Sequence, residues 1–315
     1  VRVVFAGLAH SHPFTDAANL RAIGGEVVGV HDPESGRAEE FAERFGGAVV
    51  ARPVDLLGHR PDLVIATPHP REAMATAHAL VGTVPVFVNK VLAATGAQLA
   101  AWDRLVAERR GAGGDPLLGT SSVLRFAPAL DALAADLDGE RILSLRVLAQ
   151  HDAAAFRSPG RAWQDDPAEG GGTAVTVGIH AWEMIDRLLP DAVVETGAGW
   201  VRSSADVSAR SEDVAGFGAV LRVPRRDDPV PVHAVIAGAP GDDAYEVEVV
   251  TDRGVRTVAL DTTDPGRSLG FEGLVRHLSA DVASGGMTAP WARSRTVVAN
   301  SIRAAAIARG GRPAR

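Results

Sequence analysis

Lys90 is the only lysine among 32 lysines and arginines, and it follows directly on the apolar, β-branched run Val84 to Asn89. An ε-ammonium is a compact point charge whose pKa shifts when buried, whereas a guanidinium is planar, forked and always charged. In a chain that otherwise uses arginine for cationic charge, this placement predicts that Lys90 handles a substrate oxygen. His180 lies about two helical turns after a triple glycine, in EGGGTAVTVGIHAWEMIDRLLP from Glu169 to Pro190. Glycines there allow close approach to a ligand, and a histidine following them suits general-base work. Read as one helix, the stretch puts Thr176, His180 and nearby Glu183 along one side.

A third group of residues opens the chain. VRVVFA reads as a buried strand, Gly7 breaks it, and GLAHSHP leads into an amphipathic run from Phe14 to Ile23. Strand, glycine turn and helix begin a dinucleotide-binding unit. Of the fingerprint G-x-G-x-x-G only the first glycine remains, in Gly7-x-Ala9-x-x-His12. Ala9 still lets the backbone come fairly near a pyrophosphate, and His10 and His12 can donate to it in place of the lost glycine amides. Asp32 ends the next strand, where a carboxylate accepts both hydroxyls of an adenosine ribose and repels a 2′-phosphate. This favours NAD over NADP. His10-x-His12, with His31, Asp32 and His69, also admits a metal-ligand reading; the surrounding pattern favours the dinucleotide, so no metal is expected.

These residues need elements to hold them. After Gly7 the pattern predicts a strand at Glu26 to His31, a helix at Ser35 to Phe45, a strand at Ala48 to Ala51 and a short helix at Val54 to Gly58. A strand at Asp62 to Thr67, a helix at Arg71 to Val81, the Lys90 strand and a helix at Gly96 to Arg110 follow. Short apolar strands alternating with helices predict a doubly wound parallel sheet, whose ligands sit at the carboxyl ends of the strands. Gly7, Asp32, Thr67 and Lys90 all fall there.

RRGAGGDP, Arg109 to Pro116, reads as a linker. We therefore expect a Rossmann domain over 1–116 and an α+β domain with a large open, mainly antiparallel sheet over 117–315. In the latter, Leu117 to Phe126 is predicted as a strand, followed by strands at Ile142 to Gln150, Val193 to Arg202, Ala215 to Val223, Val232 to Ala237, Tyr245 to Thr251 and Val255 to Leu260. Helices are predicted at Ala129 to Leu137, Phe271 to Ala283 and Ser294 to Ala308. A second copy of the chain packed on the open sheet would cover its face, so a homodimer or homotetramer is expected. His151, Arg157 and Trp163 lie between a strand end and the triple glycine and are candidate substrate contacts; Trp163 could floor a ring.

With 315 residues, 46% hydrophobic and 23% charged, the chain is of ordinary globular composition. A net charge of −7 gives no footprint for nucleic acid or anionic membrane. The absence of cysteine excludes disulfides and thiol chemistry. No apolar run approaches the roughly 20 residues that span a bilayer, and no signal segment opens the sequence; a soluble cytoplasmic protein is expected.

Four segments, in order and spacing, resemble the Gfo/Idh/MocA family, which includes glucose-fructose oxidoreductase and inositol dehydrogenase. Thr67-Pro68-His69 is similar to its T-P-N, Asn89-Lys90-Val91 to its E-K-P, Arg125-Phe126-Ala127-Pro128 to its R-F-x-P, and Gly170 to His180 to its G-G-G-x-x-x-D-x-G-x-H. The resemblance implies a nicotinamide oxidoreductase acting on a sugar, cyclitol or related polyol. It places Thr67, Pro68, His69 and Asn89 at the cofactor, Lys90 on the reacting oxygen and His180 on its proton. Thr176 stands where the family has aspartate, Asn89 where it has glutamate, and Val91 where it has proline. Without proline we expect a trans peptide after Lys90, because a cis bond there costs about 3 kcal/mol. Two other classes fit parts of the pattern: a non-catalytic NAD(H)-binding sensor, and a metal-dependent enzyme built on His10-x-His12.

Overall fold

The computed structural model describes residues 1–203 and 210–310. The chain divides into two compact units, and neither is one continuous stretch. The first comprises Val1–Leu92, Ala97–Ser121 and Phe271–Ser294; the second comprises Ala93–Gly96, Ser122–Gly270 and the chain from Arg295 onward. The sequence expectation of a single break near residue 116 therefore lacks the return of 271–294 to the first unit.

The first unit is built on β1 (Arg2–Ala6), β2 (Glu26–His31), β3 (Ala48–Val49), β4 (Leu63–Ala66), β5 (Val86–Asn89) and β6 (Leu118–Ser121). Helices α1 (His12–Ala22), α2 (Ser35–Phe45), α3 (Pro70–Leu80) and α4 (Gly96–Gly111) follow β1, β2, β4 and β5. A 3-10 turn, Pro53–His59, connects β3 to β4. The sheet order is β3-β2-β1-β4-β5-β6, with every pairing parallel. Strands covered on both faces read as continuous apolar runs: VVFA, LVIA and VFV supply fully buried residues throughout.

Leu118–Ser121 joins this parallel sheet beside β5, with Asn89 opposite Ser121. This corrects the expectation of a longer strand belonging to the second domain. Extension stops at Ser122, whose Oγ accepts the Leu124 amide at 3.2 Å and turns Val123–Phe126 into a 3-10 turn. Serine competes with strand pairing in this way.

The second unit continues with α5 (Pro128–Asp136), β7 (Ile142–Gln150), α6 (Gly172–Thr176), α7 (Gly178–Leu188), β8 (Val193–Arg202) and β9 (Val214–Arg222). β10 (Val230–Ala237), β11 (Ala244–Thr251), β12 (Gly254–Ala259) and α8 (Pro265–Ser268) follow. The sheet order is β12-β11-β7-β10-β9-β8. All pairings are antiparallel except β10 with β7, as the mainly antiparallel expectation requires. β10 alternates buried and exposed positions, so one face packs inward. On β8 the residues from Glu195 to Arg202 are exposed, and Trp200 keeps 52% of its surface.

Of the remaining helices, α9 (Phe271–Ala283) returns to pack on α1, where Phe271 meets the His12 ring edge-on at 5.1 Å. The segment before α10 (Trp291–Ala308) ties into β6: the Thr120 amide donates to the Ala289 carbonyl at 3.2 Å.

Candidate functional site

In the first unit, the chemistry-bearing residues gather at the carboxyl ends of β1, β2, β4 and β5. Gly7 has φ +88, and a Cβ there would stand 2.6 Å from the Pro68 Cα, so the glycine is required by the closeness of two backbones. The turn is laced to its neighbours: Gly7 N donates to His31 O at 2.7 Å and Ala9 N to Thr67 O at 2.9 Å. Asp32 completes it, accepting Leu8 N on Oδ2 at 2.6 Å and Glu34 N on Oδ1 at 2.9 Å. Arg37 donates to Leu8 O at 3.2 Å, which puts a cation beside the same turn.

His10 accepts the His12 amide on Nδ1 at 3.2 Å, so the ring carries its hydrogen on Nε2 and donates to the Lys90 carbonyl at 3.0 Å. Both ring nitrogens thus serve the protein, which argues against His10-x-His12 as a metal pair. Among the described residues no group of three or more histidine or acidic side chains is arranged to hold a metal. His69 caps α3, its Nδ1 accepting the Arg71 amide at 3.3 Å.

Lys90 follows β5 and is 8% exposed. The Lys90–Val91 peptide is cis, contrary to the trans expectation. That expectation weighed only the local cost of the bond; tertiary contacts enter here, with His10 on the Lys90 carbonyl and Trp102 Nε1 donating to the Leu92 carbonyl at 3.1 Å. Asn89 Nδ2 donates both to Thr67 Oγ1 at 3.0 Å and to Asp16 Oδ2 at 2.9 Å. Asp16, which the sequence reading passed over, is fully buried on α1. Its signal was present: a carboxylate directly before Ala17, on the helix face that also buries Leu20.

In the second unit the triple glycine does not open one long helix. α6 ends at Thr176, Val177 interrupts, and α7 begins at Gly178. Thr176 donates its hydroxyl to Gly170 O at 2.9 Å, holding the glycine loop. The expected alignment of Thr176 with His180 along one helix is therefore corrected, because the side chain is engaged by the loop behind it. His180 instead meets Ser122, with Nδ1 and Oγ 2.5 Å apart. Gly170 lies close against the carbonyl of Trp163, and Gly171, with φ +87, against Val175.

A buried charge network stands beside this pair. Arg125 Nε donates to Glu183 Oε2 and its terminal nitrogen to Asp186 Oδ2, both at 2.7 Å, while Glu183 Oε1 accepts the Ser122 amide at 3.1 Å. Burial pushes the Glu183 carboxyl up, and the Arg125 guanidinium draws it back down. The network fixes the backbone of Ser122 and so the partner of His180. Ser122 and Asp186 gave no sequence signal, since their roles depend on partners about sixty positions away.

The loop between β7 and α6 consists of two 3-10 turns, Ala153–Arg157 and Ala162–Asp165. His151 Nδ1 donates to Asp243 at 2.9 Å, and its ring packs on Phe156. Arg157 is ion-paired with Asp213. Arg161 bonds Gln164 at 2.7 Å and lies over the Phe156 ring, and burial lowers the pKa of its guanidinium.

Together the two units define a class by fold: a parallel sheet in the 3-2-1-4-5-6 dinucleotide order and a second, open mixed sheet. Solved structures with this fold include GenD2 from gentamicin A biosynthesis in complex with NAD, at TM-score 0.76 and 21% identity, covering 98% of this chain and 94% of that one. The myo-inositol dehydrogenase of Lactobacillus casei, in complex with NAD(H) and myo-inositol, matches at TM-score 0.74 and 18% identity, over 98% and 93% of the two chains. That of Corynebacterium glutamicum matches at 0.74 and 14%, over 98% and 96%. The fold expected from the four sequence segments is thus the fold observed. No protein-family model and no curated protein matches the chain.

Proposed function

We propose that this chain is an NAD-dependent oxidoreductase of the Gfo/Idh/MocA type, transferring a hydride between nicotinamide and a sugar, cyclitol or related polyol. The observation that carries the reading is Asp32, held at the carboxyl end of β2 against the glycine turn in a sheet of dinucleotide order. The donor set fits the group: a tight turn opening a helix, a carboxylate for ribose hydroxyls, and polar strand-end side chains at Thr67 and Asn89. Gly7, Ala9, His10, His12, Asp32, Thr67, Pro68, His69 and Asn89 are the proposed cofactor residues. The structures of similar fold that carry NAD support the choice of cofactor.

The nicotinamide supplies the hydride acceptor or donor. In the oxidising direction, Lys90 steadies the developing alkoxide as a point charge and His180 takes the hydroxyl proton. Thr176 contributes by holding the glycine loop that precedes His180. His151, its ring oriented by Asp243, and the ring of Trp163 are proposed substrate contacts; Arg157, already paired with Asp213, supports that loop. We place the enzyme in the cytoplasm as a homodimer or homotetramer through the second sheet, where Trp200, Val201 and Val235 are exposed. Among the described residues no helix is long and apolar enough to cross a membrane.

The test is a titration of the purified protein with NADH and, separately, NADPH, read by energy transfer from tryptophan. Tight NADH and weak NADPH binding are expected, followed by NAD reduction in a polyol screen that Lys90→Ala abolishes. Failure to bind either nucleotide overturns the reading. Binding without turnover of any polyol or keto-sugar, with biological activity intact in Lys90→Ala, favours the sensor class instead.

A further inference from the structure

Asp16 has no exposed surface, and its Oδ2 accepts 2.9 Å from Asn89 Nδ2. The second hydrogen of Nδ2 goes to Thr67 Oγ1 at 3.0 Å, so both amide donors are used and the orientation of the amide is fixed. Two atoms of the pair are left over. Asp16 Oδ1 and Asn89 Oδ1 are both buried, and neither receives a hydrogen bond. An ionised carboxylate is acceptor-only and gives Asn89 Oδ1 nothing, whereas a carboxylic acid owns one O–H donor. Buried polar atoms are nearly always satisfied. One proton on Asp16 Oδ1, donated to Asn89 Oδ1, satisfies both orphans at once.

We propose that Asp16 is carried as a neutral acid and is the positioning residue for Asn89, the two forming a reciprocal acid–amide pair at the carboxyl end of β5. The proposal rests on the reading of this strand end as the NAD site and adds to it a proton that strengthens cofactor binding. Asn89 Oδ1 is closed to solvent, so the pair acts on the cofactor site indirectly, by fixing the amide that donates to Thr67 Oγ1. Loss of the proton leaves one bond of the pair and sets two buried oxygens against each other.

The surroundings favour the neutral form. Burial pushes the Asp16 carboxyl up to about 7, and the bond from Asn89 opposes this in smaller measure. The elements nearest α1 carry few charged or titratable groups away from the surface: His12 on α1 itself, His31 on β2, Arg37 on α2, Lys90 after β5, and Glu272 and Asp281 on α9.

Asp16→Asn is the informative variant, because its amide can give an N–H to Asn89 Oδ1 and accept from Nδ2, restoring the pair with permanent hydrogens. The experiment is isotope-edited infrared difference spectroscopy of the aspartates, wild type against Asp16→Asn, with NADH titrations on the same samples from about pH 6 to about pH 8.5. We expect a buried carboxylic-acid C=O band in the wild type at the acid end, absent from the variant. NADH affinity of the wild type should weaken several-fold, up to about tenfold, towards the alkaline end, while that of Asp16→Asn stays flat. Carboxylate bands from Asp16 already at the acid end, or an equal pH slope in the two proteins, overturn the pair. Absence of NADH binding at every pH overturns the cofactor reading and the positioning role with it, whereas binding with an ionised Asp16 overturns the pair alone.

Discussion

Arg125 in the second unit and Asp16 in the first are both withdrawn from water, yet they are accommodated by opposite means. Arg125 keeps its charge because Glu183 and Asp186 supply two carboxylates at 2.7 Å. Asp16 faces only an amide, and burial moves its pKa to about 7. A guanidinium cannot be neutralised inside a protein, so it requires counter-charges; a carboxyl can, so a hydrogen-bonding partner suffices. The consequence is that one cluster depends on pairing and the other on pH.

The comparison is broken most severely by removing the guanidinium. Arg125→Leu leaves two buried carboxylates without their counter-charge and should cost about 3–5 kcal/mol in urea unfolding; a loss below about 1 kcal/mol would show that the network is not needed as charge. Asp16→Asn should act in the other direction. Its pKa is raised in the folded state, so wild-type stability falls as pH rises from about 4 to about 7 and then levels. The variant, with no proton to lose, should be more stable above neutral pH by up to about 4 kcal/mol, and the difference should vanish near pH 4. Thermal melts across that range are the measurement.

Smaller effects sharpen the contrast. Ser122→Ala removes both the cap on the Leu124 amide and the partner of His180, and should cost about 1–2 kcal/mol. It should also shift the His180 Nδ1 resonance in nitrogen NMR, which an alanine acting only through packing would leave in place. Thr176→Val deletes the bond to Gly170 O and should cost about 1 kcal/mol, restored by Thr176→Ser. Restoration by serine would mark a loop-holding hydroxyl.

Local pattern carried far in this chain. The bounds of α2, β7, β8 and α9 coincide with those read from the sequence; α2 and α9 are amphipathic runs and β7 alternates, while β8 is exposed from Glu195 onward. The strand-end placement of Gly7, Asp32, Thr67 and Lys90 is legible from the same pattern. What escaped is non-local. Asp16 looks like any polar residue on a helix until Asn89, 73 positions on, is seen against it. The break at Val177 falls beside Thr176, whose hydroxyl reaches back to Gly170, and the cis geometry after Lys90 sits among contacts from His10 and Trp102. Residues 271–294 carry a plain helical pattern, which says nothing of which sheet they serve.

That last segment bears on how the chain is made. The first unit receives α9 against α1 and the Ala289 carbonyl on β6 only from the far end of the sequence. During synthesis from the N-terminus, about 150 intervening residues emerge before this piece does. The nascent first unit must wait with the face of α1 that α9 covers left open, exposed to chaperones and to aggregation for the whole of that interval. A ribosome stalled before residue 271 should therefore hold a first unit more open to protease than one stalled beyond 294.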